Sequence, residues 1–242
     1  MTTQMTQNNW ATFQSINRHR RAIRKFNATP IHEEDIRELL AEAMLAPSSG
    51  NLQPYQLHWI RNANLKAEIA KACHGQQAAS TAAEIIVISA SSAIAKHTAA
   101  EQLAYVEAST SLESKSKAYY LKQTGMFSKV LGIGSSALWM PFIYIASLIR
   151  PSLSLLPIGS IGSRNWAARN ATFAAQTIML AAASKGVDSC PMEGFSAQEV
   201  VKLLKLPRGT VIPIVIALGY RAPDARVETQ WRRKLSDALI TH

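Results

Sequence analysis

The chain is expected to fold as a single α+β domain over residues 1–242. Three observations point there. Two runs, EIIVISA at Glu84–Ala90 and VIPIVIAL at Val211–Leu218, are apolar and β-branched, as buried strands are. Two other stretches, around Ile36–Met44 and Asn165–Lys185, carry apolar or small residues at helical spacing. The strands are scattered among helices without strict βαβ alternation, and there is no internal repeat or Gly/Ser-rich linker.

The elements follow in order. A polar leader ends near Trp10. NRHRRAIRKF (Asn17–Phe26) follows, where Arg20 and Arg24 are spaced to share a helix face with Ile23 pointing the other way. After Thr29-Pro30, Glu33, Glu34 and Asp35 mark a first helical turn. Ile36, Leu39, Leu40, Ala43 and Met44 then form a buried face, and the helix stops at Ala46-Pro47. Tyr55–Ile60 alternates as a strand, and Leu65–Cys73 reads as a short helix. Ile94–Gln123 reads as one helix with Leu103, Val106 and Leu112 on one side.

Asn165–Lys185 is Ala-rich and long, so neighbours can approach it closely and it should be central. Lys185-Gly186 closes it with a cation and a left-handed cap. The loop SCPMEGF (Ser189–Phe195) follows. Ser196 and Glu199 make a capping box before Val200, Leu203 and Leu204. In Val211–Leu218, Pro213 favours an edge strand or a strand start. The tail, Tyr220–His242, carries a basic cluster, Arg232, Arg233 and Lys234, before a short amphipathic turn.

Charge is unevenly distributed. The formal net charge is +10. Ser114–Val187 contains no Asp or Glu but holds Lys115, Lys117, Lys122, Lys129, Arg150, Arg164, Arg169 and Lys185. That stretch cannot supply a carboxylate-based metal or acid/base site, and it suits an anionic partner. Aromatic content of 7% argues against a nucleic-acid surface, where aromatics interleave with basic residues. Cys73 and Cys190 make neither a disulfide framework nor a CxxC pair and read as buried hydrophobes of a cytoplasmic protein. The first ten residues lack a signal-peptide layout.

Leu131–Ile149 carries no charge and is flanked by Lys129 and Arg150. It reads first as a hydrophobic lid or dimer contact, next as a membrane-surface contact, and last as a span, because Pro141 and the run Gly132, Gly134, Ser135, Ser136 interrupt it. Gly132, Gly134 and Ala137 spell G-x-G-x-x-A, but no strand precedes them and no ribose-binding acid follows, so a dinucleotide fingerprint is rejected.

Two features carry chemistry. APSSGNLQP (Ala46–Pro54) sets short polar side chains with Gly and Pro between a helix and a strand, which is either a rigid polar binding loop or a capped helix end and turn. Arg20, Arg21 and Arg24 are either forked donors for a phosphate or a solvated basic helix end.

Taken together, RRAIRKF (Arg20–Phe26), APSSGNLQP, and the block from FAAQTIMLAAASKGVDSCPMEGF (Phe173–Phe195) through VIALGY (Val215–Tyr220) resemble the nitroreductase family of flavin enzymes. The first resembles the family's Arg-(Arg/His)-Ser-x-(Arg/Lys)-x-Phe, and the second its Ala-Pro-Ser-Ser-x-Asn-x-Gln-Pro. The resemblance covers about 20–90 and 165–233. Residues 91–164 correspond to the family's variable region, here an apolar and basic lid insertion.

The resemblance implies a nitroreductase-like fold, with a central mixed or antiparallel sheet wrapped by helices. It also implies an intertwined homodimer with FMN at the subunit interface. Arg20 and Arg21 would hold the ribityl phosphate, and Arg24 would lie near the flavin N1/O2 edge. Pro47, Ser48, Ser49, Asn51 and Gln53 would come from the other subunit. Pro191, Met192, Glu193 and Gly194 would pass along the ring with a backbone N–H near N5, and Arg232 or Arg233 would close on the phosphate. Arg24, Met192 and Glu193 are the candidates nearest the chemistry. One departure is Ala22, which stands where the family has a serine and loses a hydroxyl to the flavin. Gln76 and Gln77 are the candidates for a further polar contact that the family places before the second strand.

The implied activity is hydride transfer from NADH or NADPH to FMN and then two-electron reduction of a nitroaromatic, quinone or similar acceptor. Other flavin chemistry on the same fold, such as reductive dehalogenation or dehydrogenation, is the alternative within it. A basic protein bound to a membrane surface is the alternative outside it, and a peripheral contact through 131–149 is compatible with either.

Overall fold

The computed structural model describes residues 2–132 and 140–242. Its centre is a four-stranded sheet of β1 (Tyr55–Trp59), β2 (Glu84–Ala90), β3 (Asp188–Met192) and β4 (Val211–Gly219), in the order β1-β2-β4-β3. All three pairings are antiparallel. A single parallel bridge, Ala22 to Ser189, adds the chain at 20–26 outside β3.

The alternation of side chains along the two central strands builds two cores. Ile86, Ile88 and Ala90 of β2, with Ile214, Ile216 and Leu218 of β4, face one core. Ile85, Val87, Val215 and Ala217 face the other. Covered on both sides, these strands are continuously apolar. The first core is closed by α2 (Glu33–Met44) and the long α8 (Gly159–Ser184). Ala167, Ala171, Ala174, Ala175 and Ala182 are among its buried small residues. They let α8 lie close to both α2 and the sheet. Lys185, at its C-terminal end, pairs with Asp35 and Glu38 of α2. The second core is closed by α3 (Ala63–Ala72), the short α4 (Gln77–Ser80) and α9 (Ala197–Leu203). Ser196 caps α9 by accepting from the Glu199 N–H, but its own N–H donates to the Ala72 carbonyl at 2.8 Å, so only half of the expected capping box forms.

Several elements differ from expectation, each for a physical reason. The leader is not merely polar coil: α1 (Thr2–His19) is helical to its end and packs on α8. Arg20–Phe26 is extended rather than helical, because Ile23 and Phe26 anchor it in the second core. Ile94–Gln123 divides into α5 (Ser92–Ala108) and α6 (Ser114–Val130). Leu112 lies in the break, where Ser109, Thr110 and Ser111 compete with helical bonding. β4 is central rather than an edge. Pro213 is tolerated because β2 pairs Ile88 with Ile214 and then Ala90 with Val211, a bulge that leaves it out of the ladder. Half of SCPMEGF is strand. Pro191 fits because β3 is the sheet's last strand.

Gly219 is required by a close approach: a Cβ there would lie 2.7 Å from the Phe26 ring. Of the apolar segment 131–149, α7 (Met140–Ile149) begins with Pro141 in its first turn. The G-x-G-x-x-A match falls largely outside the described residues. No helix among the described residues is long and apolar enough to cross a membrane.

His58 of β1 bonds Ser89 Oγ at 2.7 Å, and burial holds its pKa below the usual 6.5. A lowered folded-state pKa means that the native chain resists the proton the unfolded chain accepts. The stabilisation is complete above pH 6.5 and is lost as pH falls through the lower native value. The thermal midpoint should therefore decline from pH 7 to about pH 5. His58→Gln should flatten that decline in a pH series of melting curves, and an unchanged slope would remove His58 as the cause.

Candidate functional site

The loop after α2 is a built structure rather than a simple turn. Ser49–Asn51 forms one 3-10 turn. Gly50 (φ 63°), Asn51 (φ 55°) and Gln53 (φ 40°) all adopt left-handed backbone. For Asn51 and Gln53 this costs about 1–2 kcal/mol each. Three bonds hold the shape. Ser48 Oγ accepts from the Gln53 N–H at 3.0 Å, and the Ser48 carbonyl accepts from the Asn51 N–H at 2.9 Å. Asn170 Oδ1, from mid-α8, accepts from the Ser49 N–H at 2.7 Å. Asn170 is buried, and its Nδ2 donates to the Trp166 carbonyl at 2.7 Å. The Phe127 ring packs where a Gly50 Cβ would be. Leu52 and Pro54 are buried, whereas Pro47, Ser49 and Asn51 face outward.

A cleft of about 640 Å³ opens between this loop and α5–α6. Ser48 and Asn51 form one wall, and Tyr105, Tyr119 and Tyr120 line the other.

The second group lies at the β3 edge. The Ile23 N–H donates to the Ser189 carbonyl at 3.0 Å beside the Ala22 bridge, which fixes the backbone that carries Arg20, Arg21 and Arg24 against β3. Arg24 is exposed, and Arg20 and Arg21 are half-buried. Arg20 Nε and Ser189 Oγ are buried without a hydrogen-bond partner among the described residues. Such orphans mark a place made for a ligand or water. Arg21 Nη2 donates to the Glu228 carbonyl and Lys25 pairs with Asp224, which draws the tail alongside. The tail turns away from β4 at Arg221, whose fork grips Asp188 at 2.6 and 2.9 Å.

Along β3, Pro191 is half-buried, and Glu193 and Gly194 are exposed. The Met192 side chain is buried in the second core, so only its backbone can face a ligand. Gln76 Nε2 donates to the Gly194 carbonyl at 2.6 Å, which puts one of the two glutamine candidates in contact with this strip.

Both cysteines are free and buried. Burial pushes Cys73 up to about 11 and raises Cys190, with Arg24 opposing the latter. Among the described residues, no His, Cys, Asp or Glu group could hold a metal ion.

The two groups do not meet within one chain. The loop enters the sheet at Tyr55, paired to Ala90 and through it to Val211. The arginine segment lies at the opposite end of β4, where Ser189 pairs with Leu218, and beyond the opposite edge strand. Four strand spacings and seven residues put them on the order of 30 Å apart. Arg232 and Arg233 are exposed on the tail and bond backbone carbonyls of the tail itself. Asn170 and Ser189 were not singled out from the sequence. Asn170 could have been, as a lone amide one helical turn from Trp166 and Ala174 on the buried face of α8.

The molecule has clear relatives. The Bacillus subtilis protein named "Putative NAD(P)H nitroreductase MhqN" is 25% identical over 92% of this chain and 94% of its own. Protein DrgA of Synechocystis is 30% identical over 88% of this chain and 86% of its own. A crystal structure from Exiguobacterium sibiricum, of a "putative nitroreductase in complex with FMN", shares the fold with a TM-score of 0.71 at 19% identity, covering 95% of this chain and 97% of that one. A model of the Nitroreductase family matches residues 18–220, and the chain therefore belongs to that family.

Proposed function

We propose that the protein is an FMN-dependent NAD(P)H oxidoreductase whose flavin site is completed by a second copy of the chain. The observation that carries this reading is the separation of the two halves. One chain presents arginines with an orphaned buried Nε at one end of the sheet and a rigid polar loop at the other.

The residues fit the group. Arg20 offers an unpartnered buried Nε, and Arg21, which also holds the tail, offers a second guanidinium to a phosphate. Ser189 Oγ adds a buried hydroxyl that partly replaces the hydroxyl lost at Ala22. Arg24 keeps an exposed cation beside β3, which stabilises negative charge gathered on a bound ring. Pro191–Gly194 offers backbone groups along an edge that Gln76 steadies. From the partner copy, Ser48, Ser49, Asn51 and Gln53 supply polar groups on a backbone whose shape is already fixed, so little order is lost on binding.

Held by these residues, FMN would supply two-electron chemistry between NADH or NADPH and a nitroaromatic, quinone or similar acceptor. The acid-free middle of the chain is compatible with this, since the protein need only bind, orient and exclude water. The tyrosine-lined cleft beside the loop is of a size and character to take a flat aromatic acceptor.

The test is to purify the chain and look for a bound yellow chromophore. NADH and NADPH oxidation is then followed with and without a nitroaromatic. A protein that stays colourless after incubation with FMN contradicts the proposal.

A further inference from the structure

The outer face of α7 is apolar and exposed, from 53% at Tyr144 through Ile145 and Leu148 to 76% at Ile149. Leu155 and Leu156 extend it past the helix. The opposite side, Ile143, Ala146 and Ser147, is half-buried where α7 packs on the turn Pro151–Leu155 and on α8. That turn is pinned to α8: Asn165 Nδ2 donates to the Ser154 carbonyl at 3.1 Å and Arg169 Nη2 to the Leu155 carbonyl at 2.6 Å. The patch is therefore presented firmly rather than on a loose strand.

The charges of its own stretch of chain are one-signed. Lys129, Arg150 and Arg164 are exposed, and Ser114–Val187 holds no carboxylate side chain. We infer that this face docks on an anionic lipid surface, with α7 lying in the plane of the membrane. Its ten residues span about 15 Å, half of a hydrocarbon core, so it can lie in the interface but not cross it. Apolar side chains enter the headgroup boundary while flanking cations meet lipid phosphates. A second copy suits the face less well, because a two-fold contact would bring the same cations together with no acid in the segment to pair them.

The test is flotation of the full chain with vesicles of phosphatidylcholine alone or with about one-third phosphatidylglycerol. The protein should float with the anionic vesicles at low salt, be largely released near 1 M salt, and ignore the neutral ones. Ile145→Asp with Leu148→Asp should lower the bound fraction about tenfold or more, with unchanged circular dichroism and oligomeric state. Arg150→Glu with Arg164→Glu should weaken binding independently, without touching the apolar face. Absence of flotation on anionic vesicles, or flotation of both variants like the parent, overturns the inference. So does an oligomer that falls apart in the aspartate variant, which would make a second copy the occupant.

Discussion

Replacing Arg20 and Arg21 together by alanine is expected to lower FMN affinity by about two to three orders of magnitude. Each guanidinium–phosphate bond is worth about 1.5–3 kcal/mol, and a decade in affinity is about 1.4 kcal/mol. Stability should change little. Among the described residues, Arg20 Nε has no protein partner to lose, and Arg21 gives up a bond to a carbonyl of the exposed tail. Flavin-to-protein ratio and fluorescence titration measure the first effect, and a melting curve the second. If flavin content were unchanged, the arginines would be a solvated basic edge, and the orphaned Nε would be satisfied by water.

Asn170→Ala is expected to act on both stability and site. It removes an acceptor from the Ser49 N–H and a donor from the Trp166 carbonyl, both where α8 is buried. The combined cost is about 2–3 kcal/mol, or roughly 5–10 °C in the thermal midpoint of a chain this long. Released from α8, the loop loses one of the bonds that offset its left-handed residues, so flavin retention should fall as well. Asn170→Asp keeps the acceptor and should recover part of the loop's order. A loss of stability with undiminished flavin binding would separate the loop from the site.

Sequence alone indicated β2, β4, α2 and α8, because their patterns are dominated by burial and burial is what periodicity records. It misled where a distant contact decides the backbone. Arg20 and Arg24 have helical spacing, yet Ile23 and Phe26 reach into a core built by strands that begin at Glu84 and beyond, and the segment is drawn out straight. Pro191 and Pro213 suggested a loop and an edge. A sheet order that makes β3 terminal, and a bulge opposite Ile88 and Ala90, accommodate both. The polar loop 46–54 was legible as a candidate site because its chemistry is local. Its anchor, Asn170, was hidden in an alanine-rich helix. The distance between loop and arginines was not legible at all, since it depends on strand order.

That distance is also what makes the account testable as a whole. Two variants are prepared, Arg20→Ala with Arg21→Ala, and Ser48→Ala with Asn51→Ala. Each alone should hold little FMN. Mixed under conditions that exchange subunits, they should form heterodimers carrying one intact site in two. Flavin binding should then return to about half the parental level in that fraction, each intact site keeping its full set of donors. If the two groups served one site within a single chain, every chain in the mixture would still be damaged, and no flavin would be recovered.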